Sequence, residues 1–143
     1  IPVSLALAQA AKESGWGTSR FALEGNALFG QWTWSKKGIS PEKKDPNKSH
    51  KVLQFQILKA SVKAYKNNLN THNAYREFRE ARAQLRQEKK TINGLLLTKY
   101  LKNYASIGDK YVEILESIIK KNSLTDFDKA NLLNTKLKQG LAL

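Results

Sequence analysis

The spacing of apolar side chains along most of this chain has the period of an α-helix. The uncharged stretch at residues 1–11 predicts a buried helix over about residues 2–15, because apolar residues surround it and two glycines follow it. A short helix is expected over residues 19–24, where a serine supplies the cap. Further helices are predicted at residues 57–69, 74–90, 92–101, 109–122 and from 125 onward.

Between these helices the apolar period changes to that of β-strands. Residues 28–34 alternate as in a short strand, and residues 52–55 are its expected partner. Residues 35–51 are rich in Lys, Pro and Asp, which is typical of a flexible loop. The sequence therefore predicts a mainly α fold with a small two-stranded β lobe. At 143 residues, a single domain over 1–143 is expected.

Glu13 is the most unusual residue of the first helix. Ala6, Gln9 and Ala10 precede it on the same helical side, so its surroundings are almost wholly apolar. Burial and the negative end of the helix dipole both raise a carboxyl pKa. A carboxylic acid that stays protonated is what general acid catalysis requires. The structural alternative is a Glu paired with a cation such as Arg20.

The chain is strongly basic, with a formal net charge of +13. This charge indicates an anionic partner or setting, and a bacterial wall polymer fits it. Signatures of nucleic-acid-binding motifs are absent, so we predict no nucleic-acid partner. The sequence has no cysteine, and its apolar runs are too short for a transmembrane segment. It opens on Ile1 without Met or a signal pattern, so an upstream segment is expected to be missing.

Two motifs in the first 30 residues resemble a known family. They are Ala-Gln-Ala-Ala-Lys-Glu-Ser-Gly-Trp-Gly at 8–17 and Asn-Ala-Leu-Phe-Gly at 26–30. Both resemble the glucosaminidase domain of glycoside hydrolase family 73, whose members cut the glycan of bacterial peptidoglycan. Residues 30–32, 62–75 and 124–127 are similar to its Bax-type subgroup.

The resemblance implies a lysozyme-like fold with a groove for an extended glycan. It implies an endo-β-N-acetylglucosaminidase that cleaves between N-acetylglucosamine and the following N-acetylmuramic acid, with Glu13 as general acid and no cofactor. Peptidoglycan strands are the implied partner, and the bacterial cell envelope, periplasmic or extracellular, is the implied location. A muramidase or lytic transglycosylase using the same Glu, and a non-catalytic glycan-binding module, stay open as alternatives.

The resemblance also implies a set of site residues. The functional tyrosine of the family corresponds to Tyr104, although this chain continues with Ser106-Ile107 where the family has Thr-Asp. Tyr100 competes for that role, and Tyr111 is expected in the core. Candidate substrate-binding residues are Ser14, Asn26, Phe29, Gln31, Trp32 and Tyr100. Core packing is the alternative for Phe29, Trp32 and Trp34, and a backward bond to the helix backbone is the alternative for Ser14.

The second catalytic carboxylate is expected in the small lobe, where we favour Glu42 over Asp45. A solvated charge among the loop lysines is the alternative for Glu42. In a third possibility the 2-acetamido oxygen of the substrate takes the place of a second carboxylate. His50 and His72 have no partner at metal-ligand spacing, so we predict no metal site.

Overall fold

The computed structural model describes residues 1–34, 38–40 and 50–131. Within this part the chain is mainly helical, as predicted, with a small antiparallel sheet. The α-helices are α1 (Val3–Ser14), α2 (Arg20–Gly25), α3 (Leu58–Thr71), α4 (Arg76–Gln87), α5 (Gly94–Leu97) and α6 (Asp109–Lys121). Short 3₁₀ helices are formed by Asn73–Tyr75, Thr98–Tyr104 and Leu124–Lys129. The strands are β1 (Trp32–Thr33), β2 (Gly38–Ile39) and β3 (Lys51–Leu53).

The β lobe contains a strand that the sequence did not predict. β3 lies in the centre of the sheet, with β1 and β2 antiparallel on either side. Val52 is opposite both Trp32 and Ile39. The prediction of two strands was wrong because Gly38 and Ile39 fall in a stretch whose lysines and prolines are typical of a loop. Most of that predicted loop lies outside the described residues.

The helix predictions agree with the structure to within about three residues, except at 92–101 and from residue 125 onward. The helix predicted over 92–101 is in fact α5 followed by a 3₁₀ segment. At this junction the buried Thr98 hydroxyl donates to the Leu95 carbonyl at 3.0 Å. The helix predicted from residue 125 is likewise a 3₁₀ segment over Leu124–Lys129. Apolar spacing does not distinguish these two helix types over short segments.

Helix α1 lies against α5, α6 and the last 3₁₀ segment, and so forms part of the core. Leu5 and Ala8 are fully buried, but Val3 and Leu7 are exposed, so the expectation of a helix buried all round was wrong. The core brings together apolar and aromatic side chains from both halves of the chain. It includes Leu5, Ala8, Phe29, Tyr65, Leu69, Tyr75, Phe78, Leu97, Leu101, Tyr111, Leu115 and Ile119.

The beginning of α1 is held by a carboxylate from the other end of the described chain. Asp128 accepts hydrogen bonds from the Ser4 backbone N–H at 2.8 Å and from the Ser4 hydroxyl at 2.7 Å. It also accepts from the Gly94 N–H at 3.1 Å, where α5 begins. A negative side chain is favourable at a helix N-terminus. This contact fixes α1, and with it the position of Glu13 at the far end of the helix.

Candidate active site

The end of α1 places Glu13 at the last turn of the helix. Gly15 adopts a left-handed conformation, with φ 57° and ψ 51°, and stops the helix. The buried Ser14 hydroxyl donates to the Ala10 carbonyl at 2.6 Å and accepts from the Gly17 N–H at 2.8 Å. Ser14, a predicted substrate contact, therefore uses its hydroxyl to close the helix end.

Glu13 lines a cleft of about 430 Å³ between the helical part and the β lobe. Four other predicted site residues line the same cleft, namely Phe29, Gln31, Trp32 and Tyr104. The structure adds Gly30, Ala105 and four polar side chains, namely Asn68, His72, Tyr75 and Ser106. Among the described residues that line this cleft, Glu13 is the one with a carboxyl side chain.

The surroundings of Glu13 favour the protonated form of its carboxyl group. Burial raises the pKa of Glu13 above its ordinary value and is the largest influence. A hydrogen bond from the Tyr111 hydroxyl and the charge of Lys12 act in the opposite direction, and burial outweighs both. Glu13 thus keeps its proton to a higher pH than an exposed Glu does, as a general acid requires.

Gly30 passes directly beneath the Glu13 carboxyl group. A Cβ atom at position 30 would lie 2.9 Å from Glu13 Oε2, closer than a side chain normally approaches. The backbone there has φ 59°, which also favours glycine. The Asn-x-Leu-Phe-Gly motif therefore ends in a residue whose missing side chain leaves room for the acid.

Aromatic rings form the wall of the cleft behind Glu13. Phe29 is buried and stacks on Tyr65 with ring centroids 4.0 Å apart, so its ring packs in the core. The Tyr104 hydroxyl donates to the Phe29 carbonyl at 2.9 Å, and its ring stacks on Tyr111 at 5.7 Å. These contacts fix the Tyr104 ring at the cleft wall.

Trp32 and Gln31 give the cleft an aromatic surface and an amide. Trp32 is 61% exposed and Trp34 is 74% exposed, so the alternative of core packing was wrong for both. The Trp32 ring stacks on His50 with centroids 4.1 Å apart, which holds it as a flat surface beside the cleft. Gln31 Oε1 is buried and finds no hydrogen-bond partner within the described part of the chain.

Asn26 and Tyr100, like Ser14, do not line the Glu13 cleft. Asn26 closes α2 in a left-handed conformation, and its amide donates to the Phe55 carbonyl at 3.0 Å. Tyr100 lines a neighbouring cavity of about 550 Å³ together with Arg76, Lys99 and other polar residues. Asn26 thus has a structural contact, and Tyr100 faces a separate cavity.

The second predicted carboxylate, Glu42, lies outside the described residues, as does Asp45. The cation considered as a partner for Glu13 is engaged elsewhere. Arg20 pairs with Glu24 at 3.3 Å and donates to the Ser40 carbonyl at 2.7 Å. The charge that acts most strongly on Glu13 is that of Lys12.

Two residues that sequence reasoning missed are hydrogen-bonded to each other behind Glu13. Tyr111 is fully buried, as the core prediction expected, yet its hydroxyl also acts on Glu13 and lowers the pKa of that carboxyl group. Gln9 donates to that hydroxyl at 3.1 Å and is itself fully buried. The position of Gln9 four residues before Glu13 was visible in the sequence. A polar residue on an otherwise apolar helix side is the signal that could have identified it.

The cleft also contains residues that the motifs did not single out. Asn68 acts on the Tyr75 hydroxyl and lowers its pKa against the larger effect of burial. His72 accepts from the Ala74 N–H at 3.2 Å and begins the 3₁₀ turn that carries Tyr75. Their sequence segment resembled the Bax-type subgroup, but spacing alone gave no reason to place it against Glu13.

Neither a metal cluster nor a membrane helix is found in the part of the chain that the structure describes. Its His, Asp and Glu side chains form no group of three or more that could bind a metal ion. Its helices are all too short or too polar to cross a bilayer.

The helical architecture, the small antiparallel sheet and the Glu-bearing cleft are those of a lysozyme-like protein. The model of the glucosaminidase family, described as mannosyl-glycoprotein endo-beta-N-acetylglucosaminidase, matches residues 1–124. The chain therefore belongs to this family of glycoside hydrolases.

A curated relative supports the same assignment. Protein bax of Escherichia coli (strain K12) is 38% identical over 122 residues, which cover 85% of this chain and 43% of that protein. The chain thus spans less than half the length of this relative. No solved structure gave a significant match.

Proposed function

We propose that this chain is an endo-β-N-acetylglucosaminidase that hydrolyses the β-1,4 bond between N-acetylglucosamine and N-acetylmuramic acid in peptidoglycan. The observation that carries the proposal is the Glu13 carboxyl group, which lines the cleft with its pKa raised by burial. Membership of the glucosaminidase family supports a glycan substrate. The bacterial relative and the net charge of +13 support action at the anionic cell envelope, periplasmic or extracellular.

In the proposed reaction Glu13 donates its proton to the glycosidic oxygen of the leaving sugar. An oxocarbenium-like charge then develops at the adjacent sugar carbon. Tyr104 is held at the cleft wall by its bond to the Phe29 carbonyl, so its hydroxyl oxygen is positioned to steady that charge or to orient the acetamido group. Glu13 supplies the proton, and Tyr104 fixes the sugar.

Two residues of the β lobe are proposed to bind the glycan. The exposed face of Trp32 offers a flat apolar surface for a sugar ring, and its stacking on His50 limits its motion. Gln31 Oε1 is a buried acceptor without a partner among the described residues, so a substrate N–H or O–H would satisfy it. Together they would hold a sugar over the Glu13 carboxyl.

The second step of the reaction needs a group that attacks the sugar carbon or activates water. Inverting enzymes place a second carboxylate roughly 6.5 to 9.5 Å from the acid, and retaining enzymes place it at about 5 Å. Glu42 is our candidate, and the substrate acetamido oxygen is the alternative. Replacement Glu42→Ala tests this candidate, because a wild-type rate would leave Glu42 as a solvated loop residue.

Analysis of the new glycan ends tests the proposal. Purified peptidoglycan is incubated with the protein, and the soluble products are reduced and identified by mass spectrometry. Reducing-end N-acetylglucosamine is the expected product. Reducing N-acetylmuramic acid would identify a muramidase, and a 1,6-anhydro sugar would identify a lytic transglycosylase. Peptidoglycan that is bound without new ends would replace the proposal with a non-catalytic binding module.

A further inference from the structure

A buried chain of hydrogen bonds leads through the core to the Tyr111 hydroxyl, which acts on the Glu13 carboxyl group. The Tyr65 hydroxyl donates to Gln9 Oε1 at 2.7 Å, and Gln9 Nε2 donates to the Tyr111 hydroxyl at 3.1 Å. The Tyr111 hydroxyl in turn interacts with the Glu13 carboxyl group, and this interaction lowers the pKa of Glu13. Gln9, Tyr65 and Tyr111 are all almost fully shielded from solvent, so water does not compete for these bonds.

The direction of the chain follows from the number of hydrogens available. A phenol has one hydrogen, and an ionised carboxylate only accepts. While Glu13 is ionised, Tyr111 must therefore direct its hydrogen to Glu13, and the Tyr111 oxygen is left to accept from Gln9. The Gln9 amide then has to present Nε2 to Tyr111 and Oε1 to Tyr65, which is the arrangement observed. The opposite amide orientation would turn the Tyr111 hydrogen away from Glu13.

We propose that Gln9 is a positioning residue for the reaction: its amide holds the Tyr111 hydroxyl so that the phenol hydrogen is directed at Glu13. This proposal rests on the proposed function, in which Glu13 gives its proton to the substrate. With one carboxyl oxygen accepting from Tyr111, the acid proton resides on the other oxygen and is available to the cleft. Without Gln9, the Tyr111 hydroxyl is free to rotate and accept the Glu13 proton, which would hold that proton inside the core.

The other groups that act on Glu13 do not duplicate this function. Lys12 on α1 contributes only its charge. Tyr75 and Tyr104 act on Glu13 from the 3₁₀ segments Asn73–Tyr75 and Thr98–Tyr104, and His72 lines the same cleft. Burial raises the pKa of the Tyr75, Tyr104 and Tyr111 hydroxyls, so these phenols stay neutral while Glu13 titrates. The Gln9–Tyr111 pair thus provides an oriented donor behind the acid.

The decisive variants are Gln9→Met, which keeps the length of the side chain without its donor, Tyr111→Phe, and the two combined. The pKa of Glu13 is measured by ¹³C NMR of its carboxyl carbon. Because the Tyr111 bond lowers this pKa against the larger effect of burial, each single variant should raise it further. The double variant should match Tyr111→Phe alone, because Gln9 acts through that hydroxyl.

Kinetics provide the second measurement in the same variants. We expect Gln9→Met to lower kcat about tenfold, which is close to the loss of one hydrogen bond, with little change in KM. The fall of activity on the alkaline side should move to higher pH, since Glu13 holds its proton longer. Thr98→Val is the control, because it removes another fully buried hydroxyl that bonds Leu95 and Glu116. It should lower stability and leave the Glu13 pKa unchanged.

A Glu13 pKa that is the same in Gln9→Met and wild type would overturn the proposal, as would shifts that add in the double variant. If Gln9→Met does not fold, Tyr65→Phe is the second variant. It removes the donor that holds Gln9 Oε1 and should raise the Glu13 pKa in the same direction. The NMR titration needs no substrate, so it separates failure of this inference from failure of the proposed hydrolase activity.

Discussion

Gly30 leaves space for the Glu13 carboxyl group, and the surrounding residues shield that group from solvent. The acid is shielded by the aromatic core behind it, and the side that faces the cleft rests on the glycine backbone. A raised carboxyl pKa means that the charged form is disfavoured in the folded protein. The contribution of Glu13 to the free energy of unfolding is therefore fully present below the unfolded-state pKa of about 4.3. It is lost as the pH rises through the folded-state pKa.

Replacement Gly30→Ala should damage the site more than the fold. The added Cβ meets Glu13 Oε2 at 2.9 Å and forces the carboxyl group to move. A misplaced catalytic group can cost about a hundredfold in rate, and we expect a loss of this order. The left-handed backbone adds about 1 to 2 kcal/mol of destabilisation. Hydrolysis of peptidoglycan and urea unfolding measure the two effects.

Gly17→Ala is the matched control for this prediction. Gly17 also has a positive φ, of 80°, but a Cβ there would have no neighbour within 4 Å. It should lose a similar amount of stability and keep its hydrolysis rate. Equal rates for Gly30→Ala and Gly17→Ala would show that the contact between residue 30 and the acid is unimportant.

Among single residues, the sequence predicted the shielded position of Glu13 better than the side chains that surround it. Glu13 was identified because a charge at the end of an apolar helix is unusual. Tyr111 has the spacing of a core residue and lies in the core. The same spacing did not indicate that its hydroxyl accepts a hydrogen bond from Gln9 on α1, 102 residues earlier in the sequence. That contact depends on how α1 and α6 pack, which local periodicity does not encode.

Among elements, α1 is the one whose placement decides the site, and its two ends are fixed by different means. Ser14 and Gly15 close its C-terminal end by local bonds, so the sequence predicted that end well. Its N-terminal end begins after Pro2, which provides no side-chain cap. Asp128, which is 124 residues away from Ser4 in the sequence, caps this end by accepting hydrogen bonds from the Ser4 N–H and hydroxyl. Such a cap is invisible to local sequence reading.

Replacement Asp128→Ala should therefore loosen α1. It removes the acceptor for the Ser4 N–H, the Ser4 hydroxyl and the Gly94 N–H, and loss of a helix cap costs up to about 2 kcal/mol. We expect the free energy of unfolding to fall by about this amount in urea titrations. Asp128 lies beyond the family match at 1–124, so a protein ended at residue 124 should be destabilised too.

Asp126→Ala tests whether the effect is specific to the contact. Asp126 is on the same 3₁₀ segment and is exposed. Its replacement should change stability by less than about 0.5 kcal/mol, as surface substitutions usually do. If both replacements cost the same, the Asp128 contact does not hold α1.

Across the whole molecule, the helical class was predictable and the architecture of the β lobe was not. Amphipathic spacing marks a long helix such as α3 or α6, whose apolar face is repeated over three turns. The alternation at residues 28–34 indicated β1, but β2 contains only two residues, too few for an alternation to show. The cleft lies between these two parts. The sequence therefore indicated Glu13 on the helical side, but it gave only the approximate position of the strands on the other side.

The most direct test of this account is the rate of peptidoglycan hydrolysis by Glu13→Gln. The amide keeps the shape of the side chain but has no acidic proton, and general acid catalysis contributes about 10²- to 10⁴-fold. Glu24→Gln is the matched control, since Glu24 is an exposed carboxylate outside the cleft. We predict a loss within that range for Glu13→Gln, with the fold intact by circular dichroism, and a wild-type rate for Glu24→Gln. Glu13→Gln protein that digests peptidoglycan as fast as wild type would contradict the account.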